Sequence, residues 1–389
     1  LRILAASAVV VSHGYALLGR HEPHVLSWHG EAVTLGRLGV DVFFVASGFL
    51  VSSSWAASSN LRVFAVRRGA RILPGLVVVV LLTAFVLGPL VTSLSPGAYF
   101  SSAMPWKYAI GNSLVFPIQY FLPGVFPHDP SVNGSLWTLR LEVLAYVGLA
   151  ALGALRLFQR RFTWPVVFVG LGVASWLVAL HPDAVPKTVA TLPVFDLLSL
   201  FTMFAGGALL WNVGDRVPAR AWLAVVAVAA LLATRGLPLL GVQFVALPYL
   251  VWYFGTQQWR FAAWLRRFGD PSYGIYIYAS PITHLLVRAY DGHVSPPLLV
   301  AEAIAVSAVA GYLSFHLVEK PAMRAARRLV PGSRPEPVVS LDEHAVEGDA
   351  VGDAERVPGD VTLADVPGVR AGSREPVQQV VETICREQP

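Results

Sequence analysis

Ten apolar runs mark the first 332 residues, near 2–19, 36–56, 72–92, 135–155, 164–180, 192–211, 219–234, 238–255, 272–290 and 297–318. An α-helix rises about 1.5 Å per residue, so runs of this length match the hydrocarbon thickness of a bilayer. The runs 219–234 and 238–255 are short or interrupted by proline. The polar connections alternate in charge. Arg62, Arg67, Arg68 and Arg71 lie between the second and third runs, and Arg156, Arg160 and Arg161 between the fourth and fifth. Arg216 and Arg220 follow the sixth, Arg260, Arg266 and Arg267 the eighth, and Lys320, Arg324, Arg327 and Arg328 the tenth. The intervening connections are nearly free of Lys and Arg. The positive-inside rule assigns the arginine-rich connections to the cytoplasm. The pattern predicts an all-α, polytopic protein of about ten transmembrane helices in the cell membrane, with both termini cytoplasmic. The connection 93–134, rich in proline, is expected as a partly buried outer loop or re-entrant stretch.

Composition sharpens this. Of 389 residues, 55% are hydrophobic and 14% charged, and the mean hydropathy is +0.59. An ordinary soluble protein is far less apolar. Residues 1–332 carry 24 Lys and Arg against 12 Asp and Glu, whereas residues 333–389 carry 5 against 12. Two regions follow: a transmembrane domain over 1–332 and an acidic tail over 333–389, rich in Pro and Gly and expected to be disordered and cytoplasmic. A short helix over Glu375–Glu387 is possible within it. The basic residues sit at the ends of apolar runs, so they read as topology signals and not as a nucleic-acid surface. The only cysteine is Cys385, which excludes an internal disulfide and a cysteine metal cluster. His21, His24 and His29 have no compact zinc spacing, and no metal is expected. No cleavable leader is expected, and because the chain starts at Leu1 and not Met, native residues are expected to precede it.

Ionisable residues inside membrane spans are costly and therefore point to function. Arg2 and His13 lie eleven steps apart in the first run, which puts them on one helix face about 16 Å apart along the axis. Asp41 and Glu142 stand in otherwise apolar runs. With helices alternating in direction, His13, Asp41 and Glu142 are expected at similar depth. An imidazole with a carboxylate partner suits removal of a hydroxyl proton near neutral pH. The competing reading of His13 and Asp41 is a polar pair that fixes two helices. Arg140 is two residues from Glu142 and points to a different face, so a pairing between them is not expected. Arg68 and Arg71, three apart, share a face if the helix has begun and can grip phosphates; simple cytoplasmic anchoring is the alternative. Trp137 can stack on a sugar ring or anchor the interface. Asp196 and Glu302 are structural or substrate contacts with equal reason, and Tyr273, Tyr276 and Tyr278 suit an interfacial belt.

These residues carry a resemblance. Arg2 with His13, the stretch Gly39-Val40-Asp41-Val42-Phe43-Phe44-Val45-Ala46-Ser47-Gly48-Phe49-Leu50, and Arg68-Gly69-Ala70-Arg71-Ile72-Leu73-Pro74 resemble the integral-membrane acyltransferase 3 family. So do Asn133-Gly134-Ser135-Leu136-Trp137-Thr138-Leu139 with Glu142, Ser272-Tyr273-Gly274-Ile275-Tyr276 and Val318-Glu319-Lys320-Pro321. The resemblance runs over about residues 1–328. It implies about ten membrane helices and transfer of an acyl group, often acetyl, from cytoplasmic acyl-coenzyme A as co-substrate to a carbohydrate hydroxyl. The acceptor would be an envelope glycan, a glycolipid or a secreted glycoside. It also implies that Arg2, His13, Arg68 and Arg71 are essential. One departure stands out: many members have a histidine shortly after the Ser-Tyr-x-x-Tyr motif, where this chain reads Ile277-Tyr278-Ala279-Ser280-Pro281. Many members also carry an additional hydrolase-like domain, where this chain has the acidic tail.

The combined reading is a membrane acyltransferase in which His13, oriented by Asp41 or Glu142, is the base. Arg2, Arg68 and Arg71 bind the donor, and Trp137 is a candidate acceptor contact. A stepwise route with the acyl group held on the protein is an open variant. The alternatives are a transporter or flippase for a glycolipid or anionic solute, using the same buried charges, and a scaffold that recruits partners through the tail.

Overall fold

The computed structural model describes residues 1–28, 31–126, 131–257 and 269–330. Each of the ten apolar runs is helical. The helices are α1 (Arg2–Leu17), α2 (Leu35–Ser58), α3 (Leu61–Val91), α4 (Pro96–Ser101), α5 (Ala103–Ser113) and α6 (Leu136–Ala154). They continue as α7 (Thr163–Leu180), α8 (Val194–Val213), α9 (Ala221–Ala233), α10 (Leu237–Thr256), α11 (Ser272–Ala289) and α12 (Pro296–Leu329). Single π-helical turns at Thr83–Leu87 and Phe315–Glu319 interrupt α3 and α12. Two small antiparallel hairpins complete the described elements: β1 (His24–Trp28) with β2 (Glu31–Thr34), and β3 (Thr188–Val189) with β4 (Leu192–Pro193).

Seven helices, α2, α3, α6, α7, α8, α10 and α12, are long and apolar enough to cross a membrane. Helices α1 and α9 are apolar but shorter, and α11 is long enough but more polar. Apolar side chains also cover the outside. Val166, Val169, Val173 and Leu177 line one exposed face of α7, as a lipid-facing helix requires. The chain is an all-α, multi-pass membrane protein.

The described part of the 93–134 connection, residues 93–126 and 131–134, contains two short helices. Ser95 accepts a hydrogen bond from Ala98 N, and Ser102 from Met104 N, so each caps a short helix, with Pro96 at the first helical position of α4. Tyr99 and Tyr108 are fully buried, and the Tyr99 hydroxyl donates to Ala84 O. Arg260, Arg266 and Arg267, His29, and the acidic region 333–389 with its expected short helix lie outside the described residues.

Helix contacts set the register. Gly36 N, at the start of α2, donates to Ser12 Oγ near the end of α1. Three residues on, Gly39 lies so close to Ala5 O that a Cβ would come within 2.5 Å. The two helices are therefore antiparallel, and successive residues of α2 descend toward Arg2. Helices α2 and α8 run parallel and touch backbone to backbone. A Cβ on Gly48 would lie 1.9 Å from Phe204 O, and one on Gly207 2.0 Å from Val45 O. Small residues of this kind let membrane helices approach closely where no hydrophobic drive exists between them. In α11, Pro281 has no N–H, so the carbonyl of Ile277 loses its helical donor. Asn133 Nδ2 takes that place at 2.9 Å, and Gly134 N donates to Ser280 Oγ, which fastens the segment before α6 to α11.

Candidate active site

Arg2 is the second residue of the chain and opens α1. Its Nη1 donates to Asp270 Oδ2 at 2.9 Å. Arg71, in α3, donates through Nη2 to the same oxygen at 2.8 Å and through Nη1 to Glu319 Oε2 at 3.2 Å. Ser272 holds the other Asp270 oxygen, and Ser314 Oγ donates to Glu319 Oε1. Two guanidinium groups and two carboxylates thus form one chain, Arg2–Asp270–Arg71–Glu319, where α1, α3, α11 and α12 meet. Partial burial alone would raise the Asp270 carboxyl, but Arg2 and Arg71 hold it well below the usual carboxylate range. Arg68, one turn before Arg71, donates to Ser54 Oγ at 3.0 Å. The Tyr273 hydroxyl donates to Ile72 O.

Beside this network is a small cavity of about 30 Å³, room for about one water, lined by Arg2, Phe43, Phe44, Ser47, Glu142, Tyr273 and Tyr276 among others. Ser47 Oγ and the Tyr146 hydroxyl both donate to Glu142 Oε1. Trp137 is partly buried against the main core, next to Thr138, whose hydroxyl meets that of Tyr276 at 2.6 Å.

The expectation that His13, Asp41 and Glu142 share one depth is corrected. Gly36 meets Ser12, and Ser47 lies eleven residues, about 16 Å, further down α2. Ser47 and its partner Glu142 are therefore level with Arg2, at the opposite end of α1 from His13. Asp41 lies at intermediate depth but belongs to a different network. Its oxygens accept from Arg37 Nε at 3.2 Å and Gln243 Nε2 at 2.7 Å. Arg37 also bonds to Asp196 and Ser199 at the start of α8. Asp41 is fully buried between α2, α8 and α10. The two carboxylates thus lie in two separate places, and sequence spacing could not separate them, because it gives depth along a helix but not the face.

His13 is half-buried. Its neighbours are both committed to packing: Ser12 to Gly36, and Gly14 to Val300 of α12. The structure brings a second imidazole to the same level. Val10 and Ala279 meet in one small cluster. Helices α1 and α11 both start at the Arg2–Asp270 pair and run the same way. His284, five residues beyond Ala279, is thus within about a turn of the level of His13, three beyond Val10. His284 is buried, bonds through Nδ1 to Ser280 O at 2.8 Å and stacks on Phe126. Sequence reading considered a histidine only over residues 277–281, shortly after the motif, and missed this one, about two turns beyond Tyr276. It also assigned no role to Asp270, Glu319, Arg37 or Gln243, although Glu319 stood in a motif and Asp270 lies two residues before another.

The site thus has two ends on one helix: a charged network with a cavity at Arg2, and imidazoles about three turns away. Comparison with known proteins gives this arrangement a family. The model of an acyltransferase domain, Acyl_transf_3, matches residues 1–316. An O-acetyl transferase of Shigella phage Sf6 is 30% identical over 334 residues, which is 82% of this chain and 93% of that protein. Nodulation protein 10 of Rhizobium leguminosarum bv. viciae is 30% identical over 353 residues, 85% of this chain and 94% of its own length. The exopolysaccharide production protein ExoZ of Rhizobium meliloti is 27% identical over 335 residues, 79% of this chain and 97% of its own. No solved structure matches. With the domain model covering most of the chain and relatives matched nearly end to end, the chain belongs to the acyltransferase 3 family of membrane-bound O-acyltransferases.

Proposed function

We propose that this protein moves an acetyl group from cytoplasmic acyl-coenzyme A to a hydroxyl of an envelope glycan, a glycolipid or a secreted glycoside. The observation that supports this best is the convergence of Arg2 and Arg71 on Asp270 beside a cavity, with His13 three turns along the helix that Arg2 begins. In this reading Arg2, Arg68 and Arg71 face the cytoplasm and receive the donor phosphates. Asp270 and Glu319 keep the guanidinium groups spread and oriented until phosphate oxygens compete for them. The pantetheine arm then runs along α1 toward His13, a path of about 16 Å.

At the far end His13 takes the proton of the acceptor hydroxyl as its oxygen attacks the thioester carbonyl. The C–S bond breaks, and the thiolate of coenzyme A recovers a proton. Asp41, locked by Arg37 and Gln243, sets the packing of α2 on α8 and α10 and is assigned no step. Glu142 works at the donor end, beside Arg2. Trp137 remains a candidate acceptor contact. The relatives support a carbohydrate acceptor: one is named an O-acetyl transferase and one an exopolysaccharide production protein. The domain over 1–332 carries all of this, and the acidic tail 333–389 is dispensable for transfer.

The test is mass spectrometry of envelope glycans and secreted glycosides from cells with and without the protein, paired with transfer of labelled acetyl from acetyl-coenzyme A by purified protein in lipid. One glycan should lose a single acetyl mass without the protein, and the purified protein should bind acetyl-coenzyme A. An unchanged glycan profile with no binding of the donor would overturn the reading.

A further inference from the structure

Arg140 is a buried cation that the transfer chemistry leaves unused. It lies in the second turn of α6, two residues before Glu142, and the two side chains leave the helix on different faces. Glu142 turns to Ser47 and Tyr146. Arg140 turns instead to two connecting segments. Its Nη1 donates to Thr191 Oγ1 at 2.9 Å, and its guanidinium lies 5.0 Å from the centre of the Phe116 ring. The residue is 4% exposed, and its Nε is buried without a hydrogen-bond partner. Arg2, Arg37 and Arg71 each bond to a carboxylate. Among the described residues no carboxylate pairs with Arg140.

Its position is informative. Thr191 is in the turn between β3 and β4, just before α8, whose first turn carries Asp196 bonded to Arg37. Arg37 in turn adjoins Gly36, the partner of Ser12. Phe116 belongs to the segment 114–126, whose last residue, Phe126, stacks on His284 at 4.7 Å between ring centres. Tyr120 of the same segment feels the cation: burial raises its hydroxyl pKa, and Arg140 opposes the rise. Arg140 is one short step, about 3 Å, up α6 from Glu142, and both segments that enclose it continue to residues at the His13 level, Phe126 against His284 and Asp196 against Arg37, so an extended acceptor held at His13 reaches toward it.

A guanidinium has five N–H donors in a planar fork that fits two oxygens of one anion. Here one hydroxyl and one aromatic face answer it. Burial of an unpaired charge is unfavourable unless something restores the balance. We propose that Arg140 binds an oxyanion carried by the acceptor, so that the acceptor is an acidic saccharide bearing a carboxylate or a phosphate. The inference rests on the acyl-transfer reading above and narrows its acceptor class. Phe116, whose ring is half-exposed, offers a flat apolar face beside the charge.

The test uses the full chain in lipid nanodiscs with labelled acetyl-coenzyme A and three acceptor probes. These are a neutral oligosaccharide, one of equal length containing glucuronic acid, and a sugar linked to a polyprenyl phosphate. Wild type should favour one charged probe over the neutral one at least tenfold in kcat/KM, and which one it favours separates carboxylate from phosphate. Arg140→Gln should abolish that preference through a higher acceptor KM, with acetyl-coenzyme A KM and the rate on the neutral probe unchanged. Arg140→Lys should restore part of it. A wild type indifferent to charge would overturn the inference. So would an Arg140→Gln variant that keeps the preference, or one that loses rate on every probe together with its melting temperature. If wild type acetylates none of the probes, thermal shift with glucuronate and with inorganic phosphate decides. A rise in wild type that Arg140→Gln lacks supports the site, and no rise in wild type overturns it. Absence of acetyl-coenzyme A binding, by contrast, would remove the acyl-transfer reading itself and not the anion site.

Discussion

Arg2 and Arg71 donate to one and the same oxygen, Oδ2 of Asp270, at 2.9 and 2.8 Å. The first residues of α1 and the middle of α3 are thereby joined through a single carboxylate at the foot of α11. Like charges this close repel unless an anion lies between them, so Asp270 is what allows the two guanidinium groups to stand side by side.

Asp270→Asn should therefore loosen the network. The Asp270 side chain is 40% exposed, so the loss of stability should be about 1 kcal/mol, the range of solvent-screened pairs, and not that of a sealed one. The pH dependence has a definite sign. The folded carboxyl is held below its ordinary range, so its contribution is fully present above the unfolded value of about 3.9 and is lost as pH falls through the lower folded value. Melting temperatures of wild type and Asp270→Asn in detergent should differ by a constant amount from pH 5 to pH 8, and the gap should close below about pH 4. A gap that opened only toward alkaline pH would contradict this.

Glu142 discriminates between the two ends of the site. Glu142→Gln keeps an oxygen for Ser47 and Tyr146 but removes the charge beside Arg2. Acting at the donor end, it should change the KM for acetyl-coenzyme A several-fold and leave the acceptor KM alone. If initial-rate kinetics instead showed normal donor KM and a kcat reduced a hundredfold, Glu142 would be coupled to His13 after all.

The α2–α8 crossing has no room for a side chain. With Phe204 O 1.9 Å from where a Cβ on Gly48 would sit, Gly48→Val must push the helices apart. Overpacking of this kind typically costs about 1–3 kcal/mol. Because Arg37, Asp41 and Asp196 bridge the same pair of helices, the displacement should also disturb that network. Thermal denaturation should show a clear drop for Gly48→Val and a larger drop than for Val166→Ala on the lipid-facing side of α7. Equal melting temperatures would contradict the crossing.

Helices were legible because long apolar runs determine them: all ten runs are helical, and seven of the helices are long and apolar enough to cross a membrane. The capped helices α4 and α5 were missed although Ser95-Pro96 and Ser102 were plain cap signals; proline density masked them. Arg2 and Arg71 were read as part of one donor-binding set, and in the structure both bond to Asp270. What spacing could not supply was the partner across helices. Asp270 is 268 residues from Arg2, and Gln243 is 202 from Asp41. Such pairings depend on which faces pack, and faces depend on contacts such as Gly39 against Ala5 that no single run reveals. For the same reason Glu142 was placed with His13 although it lies with Arg2. His284 was missed because it stands beyond Pro281, about two turns past Tyr276 on the same helix.

The central claim, that one helix carries the donor dock at Arg2 and the base at His13, is tested most directly by separating binding from transfer. Binding of acetyl-coenzyme A and acetyl transfer are measured on the same purified protein in lipid, for wild type, His13→Ala, Arg68→Ala and Arg71→Ala. His13→Ala should lose about 10²–10⁴ in rate, the usual contribution of a general base, and bind the donor as wild type does. Arg68→Ala and Arg71→Ala should weaken donor binding, with lysine a poor substitute. Full transfer by His13→Ala, or loss of donor binding in that variant alone, would contradict the account.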